Sequence, residues 1–551
     1  MGDRWYSEAV VYCLDVDTYA DSDGDGVGDF RGLIGRLDYL ARLGVTCLWL
    51  NPIHPSPNQD DGYDATDFYN VDPRLGTLGD FAELLHQAQN RGIRVIIDLV
   101  VNHTSDQHPW FQSARSSPDS PYRDWYVWAD HAPADRHQGM VFPGEQHETW
   151  TYDRTAKAWY YHRFYEFQPD LNIENPKVRA EIKKITSFWL QLGVSGFRMD
   201  AVPFIIEQTE PGNPNAPKDF DFLTDLRQHV QWRRGDAVLL AEANVEPDQL
   251  PVYFGDGSGS GNRIHMLFDF MLNGRLMLAL AREDPETIVD ALRDTPKLPT
   301  GGQWATFLRN HDEIDLSRLT ADQRNDVLAK FGPDESMQLY GRGIRRRLAP
   351  MLGNDRRHIE LAYALQFSLR GTPVLRYGEE IGMGENLALD GRNAIRTPMQ
   401  WSYKENAGFS TADPEKLIRP VIDQGDFGYQ KVNVTAQRGD SKSLLAWFER
   451  MIRTLREAPE IGSGSTSHID VPMPAGVLAH RADGPTGTMV FLHNLGTEDV
   501  EVDLSTLAAE ADLPIDVLTD RGYGDVGKLD RLKLGGHGYR WIRLCRSTAS
   551  Y

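Results

Sequence analysis

Arg198 and Asp200 stand two residues apart in Gly196-Phe197-Arg198-Met199-Asp200. On an extended strand side chains alternate faces, so the two point the same way. A guanidinium beside a carboxylate keeps it ionised and aimed, as a nucleophilic or charge-stabilising aspartate requires. The same spacing also serves a structural ion pair, so its meaning depends on what else the chain supplies. Three further polar clusters follow short apolar runs: Asp98 with Asn102-His103, Glu242 in Ala241-Glu242-Ala243-Asn244, and Asn310-His311-Asp312-Glu313. Asp200, Glu242 and Asp312 would repel one another in a shared site unless their protonation states differ. Glycoside cleavage needs such a set: one carboxylate nucleophile and one protonated carboxyl that assists the leaving group.

These residues need a scaffold that gathers strand ends. Val95-Ile96-Ile97-Asp98-Leu99-Val100-Val101 is nearly all apolar, as a parallel strand covered on both faces must be. Similar runs occur at Val10–Leu14, Cys47–Leu50, Gly196–Met199, Val238–Ala241, Met266–Phe270, Thr306–Leu308 and Pro373–Leu375. Between two of them Asn175 caps and Pro176 starts a helix with a Val178, Ile182, Ile185, Trp189 and Leu192 stripe, which Gly193 ends. Eight strands alternating with helices predict a (β/α)8 barrel, with a doubly wound open sheet as the competitor. In a barrel the C-terminal strand ends converge on one site.

The span 104–170 breaks the rhythm with aromatics, Pro, Asp and His, and reads as a small domain inserted after strand three. Residues 466–551, with β segments such as 487–492 and 539–544, read as a C-terminal β-sandwich domain. The barrel then comprises 1–103 and 171–465. Within the insert, Trp150, Trp159, Tyr160 and Tyr161 are expected to form an aromatic lid. His131, His137, His147 and His162 fit no metal spacing.

The net charge of −22 argues against nucleic acid or an anionic membrane as partner and fits a neutral or cationic small molecule. Three cysteines (Cys13, Cys47 and Cys545) are too few for a disulfide framework or zinc site. With no signal-like start and no long apolar run, a cytoplasmic enzyme is expected.

Together Asp98-Leu99-Val100-Val101-Asn102-His103, Gly196-Phe197-Arg198-Met199-Asp200-Ala201, Glu242 after strand five and Asn310-His311-Asp312 resemble the α-amylase superfamily, glycoside hydrolase family 13, over nearly the whole chain. The resemblance implies Asp200 as nucleophile, Glu242 as general acid/base and Asp312 as transition-state stabiliser, with Arg198, His103 and His311 around the glycosyl unit. Asp60-Asp61-Gly62-Tyr63-Asp64 is similar to the segment closing the pocket of exo-acting members, where Asp60 would bind hydroxyls and Tyr63 would stack on the ring. Gln168-Pro169-Asp170-Leu171-Asn172 and Arg396-Thr397-Pro398-Met399-Gln400-Trp401 resemble the oligo-1,6-glucosidase and trehalose synthase side, and imply that Arg396 reaches the same pocket. Ala201 resembles α-1,4-preferring members. The long segment 343–357 is very similar to the trehalose synthase group.

That group interconverts maltose and trehalose by intramolecular glucosyl transfer, so the resemblance implies a small α-glucoside substrate, no organic cofactor and a covalent glucosyl-Asp200 intermediate. It leaves open exo-acting hydrolysis, transfer to another acceptor, and a homo-oligomer. A carbohydrate-binding relative without catalysis is the non-enzyme alternative, against which all three acids stand. The chain departs from the group at Asp15 and Asp17 in the first strand, at Val245-Glu246-Pro247 after the acid/base, and at 268–274. Asp15 and Asp17 either reshape the pocket floor or pair with arginines.

Asp21-Ser22-Asp23-Gly24-Asp25-Gly26-Val27-Gly28-Asp29 crowds four carboxylates with turning glycines, which suits a hard cation with oxygen ligands. By family resemblance this loop holds a structural Ca2+ or Mg2+ through Asp21, Asp23, Asp25, Asp29 and the Val27 carbonyl.

Overall fold

The computed structural model describes residues 4–207, 218–259, 261–484, 487–510, 513–524 and 526–545. Eight strands close into a parallel barrel: β1 (Val11–Leu14), β2 (Cys47–Leu50), β3 (Arg94–Leu99), β4 (Gly196–Met199), β5 (Val238–Ala241), β6 (Met266–Phe268), β7 (Gln303–Thr306) and β8 (Thr372–Arg376). Each strand pairs with its sequence neighbours, and β8 closes on β1. The predicted doubly wound alternative is thereby set aside.

Alternation along the strands divides the core in two. Val11, Cys13, Trp49, Ile96, Leu240, Phe268 and Val374 fill the barrel interior. Tyr12, Leu14, Leu48, Leu50 and Ile97 face the surrounding helices. The near-continuous apolar runs in the sequence follow from burial on both faces. Asp98 continues the inward row of Ile96, and Arg198 lies beside it in register on β4. The barrel's polar top is therefore built from the same alternation as its apolar floor.

The helix Pro176–Leu192 connects β3 to β4 after the insert. Asn175 accepts from the Lys177 amide, and Val178, Ile182, Ile185 and Trp189 are buried. Leu192 is only partly covered. Gly193 leaves at φ 120°, a conformation that favours glycine. Gly196 opens β4 with φ 149°, where a Cβ would stand 2.1 Å from the Val238 carbonyl oxygen. Only glycine lets β4 lie this close to β5.

The first, third and eighth strands shift by one or two residues at their ends, and the sixth and seventh also differ from expectation. The seventh strand pairs over Gln303–Thr306 rather than 306–308, and the sixth ends at Phe268. Beyond Thr306 the apolar pair Phe307-Leu308 continues without a ladder partner, and after Phe268 Asp269 caps the next helix by accepting from the Leu272 amide.

Between β3 and β4 a three-stranded sheet (Trp128–Ala129, Ala158–Tyr161, Trp150–Asp153) stands outside the barrel. At the C-terminus a five-stranded antiparallel sheet includes Val477–Gly484, Gly487–Asn494 and Tyr539–Cys545. It buries Val490, Leu492 and Ile542 against a small two-stranded sheet. Its other face, with Phe491, Tyr539 and Trp541, joins the main core. Among the described residues no helix is long and apolar enough to cross a membrane.

The arginine-rich segment 345–357 is satisfied internally. Arg347 pairs with Glu379, Arg346 with Glu385 at 2.7 Å, and Arg356 with Glu360 at 2.6 Å.

Candidate active site

Arg198 is the centre of the site. It is 2 % exposed, its Nη1 donates to Asp200 Oδ1 at 2.7 Å, and its Nη2 pairs with Glu242 Oε2. Asp98 Oδ1 lies 3.6 Å from the same Nη1 and accepts from Trp49 Nε1 at 2.9 Å. One guanidinium thus ties the ends of β3, β4 and β5. Asp200 and Glu242 follow Met199 and Ala241, which are register partners, so the adjacent strands deliver them side by side. Ala201, next to Asp200, has φ 49° and ψ 36°, the left-handed region that a residue with a Cβ adopts at a cost of about 1 kcal/mol or more. It turns the chain sharply, so that the Val202 amide donates to the Glu242 carbonyl at 3.2 Å.

Asp312 arrives from the segment after β7. Arg392 Nη1 reaches its Oδ1 at 2.9 Å, Arg396 Nη2 reaches the same oxygen at 3.1 Å, and His311 Nε2 lies 3.2 Å from Oδ2. Burial opposes ionisation of Asp312, but the Arg392 and Arg396 charges outweigh it and hold the carboxyl well below the usual range. Glu242 goes the other way. Burial, with the charges of Asp200 and Asp312, outweighs Arg198 and raises it to about 8. At neutral pH one carboxyl is thus protonated and another ionised in the same cavity. Asp98 is also pushed up, to about 7, by burial.

The remaining expected residues surround this centre. The Tyr63 hydroxyl donates to Asp98 Oδ2 at 2.9 Å and lies 2.7 Å from His311 Nε2, with the two rings stacked at 5.8 Å. His103 Nε2 lies 3.1 Å from the Tyr63 carbonyl oxygen. Burial lowers both His103 and His311 and keeps the rings neutral. Gln168 donates to Asp60 Oδ2 at 2.8 Å, and burial raises Asp60 to about 7.

Asp60, Tyr63, His103, Asp200, Glu242 and Asp312 line one cavity of about 340 Å3. Arg396 does not line it. It stands behind Asp312, donating to the His311 carbonyl at 2.8 Å and pairing with Asp61. Of the two arginines on Asp312, the one that reaches the cavity is Arg392, which also pairs with Glu313 at 2.8 Å and lies over the Phe142 and Tyr340 rings. Sequence reasoning missed Arg392, although it shares a tight turn, Gly391–Ile395, with the approach to Arg396.

The expected aromatic lid is corrected. Trp150, Trp159, Tyr160 and Tyr161 do not line the cavity, and Phe142, Phe164 and Phe204 do. Trp150 packs on Tyr161, and Tyr160 on Phe111, because a three-stranded sheet this small needs its own aromatics for a core. Another part of the cavity wall, with Glu207, Asn244, Glu246 and Arg318, is charged. Arg318 pairs with Glu246 and donates to Asn244 Oδ1 at 2.6 Å, while Glu207 pairs with Arg163. Asp15 pairs with Arg376 rather than entering the cavity.

In the acidic turn, Asp21, Asp23 and Asp29 each bring one carboxylate oxygen within 4.8 Å of the others. Asp25 is not in that group, and its Oδ1 accepts from the Val27 amide at 2.8 Å.

A family model described as the catalytic domain of alpha amylase matches residues 15–332 and 344–464. The chain belongs to the α-amylase family. A second model, for the C-terminal domain of sucrose hydrolase-like proteins, matches residues 487–543 of this α-amylase-family chain. A trehalose synthase of Pimelobacter sp. (strain R48) is 42% identical, with 98% of this chain and 96% of that protein covered. An oligo-1,6-glucosidase of Parageobacillus thermoglucosidasius is 31% identical over 82% and 84% of the two chains. The crystal structure of the trehalulose synthase MutB from Pseudomonas mesoacidophila MX-45 superposes with a TM-score of 0.77 at 27% identity, covering 98% of this chain and 100% of that one. This family member is thus similar both to synthases and to a glucosidase.

Proposed function

We propose that the protein is a retaining α-glucosyl enzyme that interconverts maltose and trehalose. The likeness to a trehalose synthase along almost the entire chain carries this reading. The cavity supports it, since about 340 Å3 is at the small end of ligand sites and suits a disaccharide rather than a polymer.

In this reading Asp200 attacks the anomeric carbon while the Glu242 carboxyl gives its proton to the leaving oxygen. The bond from the anomeric carbon to the leaving oxygen breaks, and an ester to Asp200 forms. Arg198 keeps Asp200 aimed. Asp312, ionised between Arg392 and Arg396, stabilises the positive charge that develops on the sugar. The freed glucose then turns and presents another hydroxyl, Glu242 takes that hydroxyl's proton, its oxygen bonds to the anomeric carbon, and the ester bond to Asp200 breaks. His103, Asp60 and Tyr63 hold the glucosyl unit, whereas His311, which does not line the cavity, acts on it through Tyr63 and Asp312, as Arg396 does through Asp312.

Hydrolysis is the second reading. The charged part of the wall, taken as the acceptor end, favours it, because the Arg318–Glu246 pair stands at a rim where the Glu246 side chain is 66% exposed. Water that enters there competes with the retained glucose.

A structural Ca2+ or Mg2+ in the turn 21–29 belongs to the same proposal. The convergence of Asp21, Asp23 and Asp29 suits a hard cation, which would stiffen the first βα connection. Asp21 also accepts from Ser410 Oγ, so this turn supports the segment behind the site. The domain limits 1–103 with 171–465, 104–170 and 466–551 remain the proposed division. The free thiols of Cys13, Cys47 and Cys545 suit a reducing, cytoplasmic location.

The test is incubation of purified protein with maltose, followed by chromatography of the products. Trehalose is expected. Glucose without trehalose rejects isomerisation in favour of α-glucosidase activity.

A further inference from the structure

Four chain segments that meet behind Asp312 form an unbroken file of alternating charges. Asp61, in the loop after β2, is held between two guanidinia: Oδ2 pairs with Arg396 and Oδ1 with Arg419. Arg396 reaches Asp312 from its other side at 3.1 Å. Arg419 faces Asp17, in the turn after β1, at 3.8 Å, and its Nε donates to Asn393 Oδ1 at 3.1 Å. Asn393 lies in the turn that carries Arg392. The side chains of Arg396, Asp61, Arg419 and Asp17 are each no more than 13% exposed, so solvent screens them little. Asp17 Oδ1 has no hydrogen-bond partner among the described residues.

We propose that Asp17 and Arg419 are positioning residues for glucosyl transfer, fixing through Asp61 and Arg396 where Asp312 stands and how much positive charge Arg396 offers it. Neither lines the cavity, and neither touches Asp312. Asp61 is shared between two arginines, which leaves Arg396 free to serve Asp312 as well. Without Arg419, Asp61 draws on Arg396 alone, and Asp312 loses part of its counter-charge. Without the Asp17 charge, Arg419 serves Asp61 more fully, and Arg396 turns towards Asp312. The two ends of the file therefore act with opposite sign.

The charged neighbours are few. Asp17 faces Arg419, Asp61, Asp15 and Arg74, and Arg74 is engaged by Asp72 at 2.7 Å. Arg419 faces Asp61, Asp17, Asp15 and Tyr377. Asp61 is held well below the usual carboxylate range, because Arg419 and Arg396 together outweigh its burial. Asp15 is matched by Arg376.

The inference rests on the proposed role of Asp312. Its test is the pH profile of kcat/KM for maltose in Arg419→Gln, Arg419→Lys and Asp17→Asn, with circular dichroism and melting as folding controls. Arg419→Gln is expected to lose about 10- to 100-fold in kcat, with less change in KM, as a slightly displaced catalytic group does. Its acid limb moves to higher pH, because Asp312 becomes easier to protonate. Arg419→Lys keeps the charge and restores the limb. Asp17→Asn moves the limb to lower pH, and decides the matter alone if Arg419→Gln does not fold. A purely structural role lowers stability in each variant and moves no limb.

Asp312→Asn separates the two levels. If it is inactive while the Arg419→Gln limb stays put, or while the Asp17→Asn limb moves upward, the positioning role is overturned. If it is active, the reading of Asp312 itself falls.

Discussion

The opposite protonation of Glu242 and Asp312 gives a quantitative prediction about alkaline pH. The first half-reaction needs Glu242 protonated, and burial together with Asp200 and Asp312 raises its carboxyl to about 8 against the pull of Arg198. With that value about nine-tenths of the enzyme carries the proton near pH 7, and about one-tenth near pH 9. kcat/KM for maltose therefore falls about tenfold across that interval, with slope approaching one decade per pH unit above it. The perturbation that isolates the group is Glu242→Gln, which keeps the side chain's shape and a carbonyl oxygen for Arg198 but cannot act as a general acid. Loss of a general acid costs roughly 10^2- to 10^4-fold. The assay is initial-rate turnover of maltose and of α-glucosyl fluoride, whose leaving group departs without protonation. On the fluoride the variant should keep its first step, and the alkaline limb should vanish. Equal loss on both substrates, or a flat profile on maltose from pH 7 to pH 9 in folded wild-type protein, refutes the assignment of Glu242 as the proton donor.

Two further outcomes are expected. Asp200→Asn should lose at least ~10^4-fold in maltose turnover, with unchanged circular dichroism, since the ester can no longer form; residual activity near the wild-type level would undo the covalent mechanism. Excess EDTA should lower the melting temperature while kcat/KM of the folded enzyme is unchanged, because a cation present at about a hundredfold its Kd stabilises by about 2.7 kcal/mol; an unaltered melting temperature would count against cation binding at Asp21, Asp23 and Asp29.

The barrel was legible because its signal is local and repeated. A strand buried on both faces must be apolar throughout, as Val95 to Val101 is, and a helix crossing the barrel needs a stripe such as Val178, Ile182, Ile185 and Trp189. Strand ends were less legible. Gln303 and Trp304 follow two glycines that read as loop, yet they pair with Met266 and Leu267. The aromatic lid was misread for a related reason. Composition places aromatics in the insert but does not say which of them build its core, and Trp150 and Tyr161 are used there.

Sequence alone determined the chemistry available: which carboxyls, histidines and arginines stand at strand ends, and hence that Arg198, Asp200 and Glu242 meet. Strand alternation and barrel convergence are properties of the backbone, so they can be read from spacing. Tertiary structure alone decided the electrostatics. Arg392 rather than Arg396 reaches the cavity, and Asp61 is held between Arg396 and Arg419, residues 335 and 358 positions away along the chain. Those partners lie on loops with no periodicity to reveal their direction, and a carboxyl's pKa depends on burial and on charges a few ångströms away. The neighbourhood of Asp200 is therefore written in the strands, and the opposite protonation of Glu242 and Asp312 in the burial and charges that the loops folded over them supply.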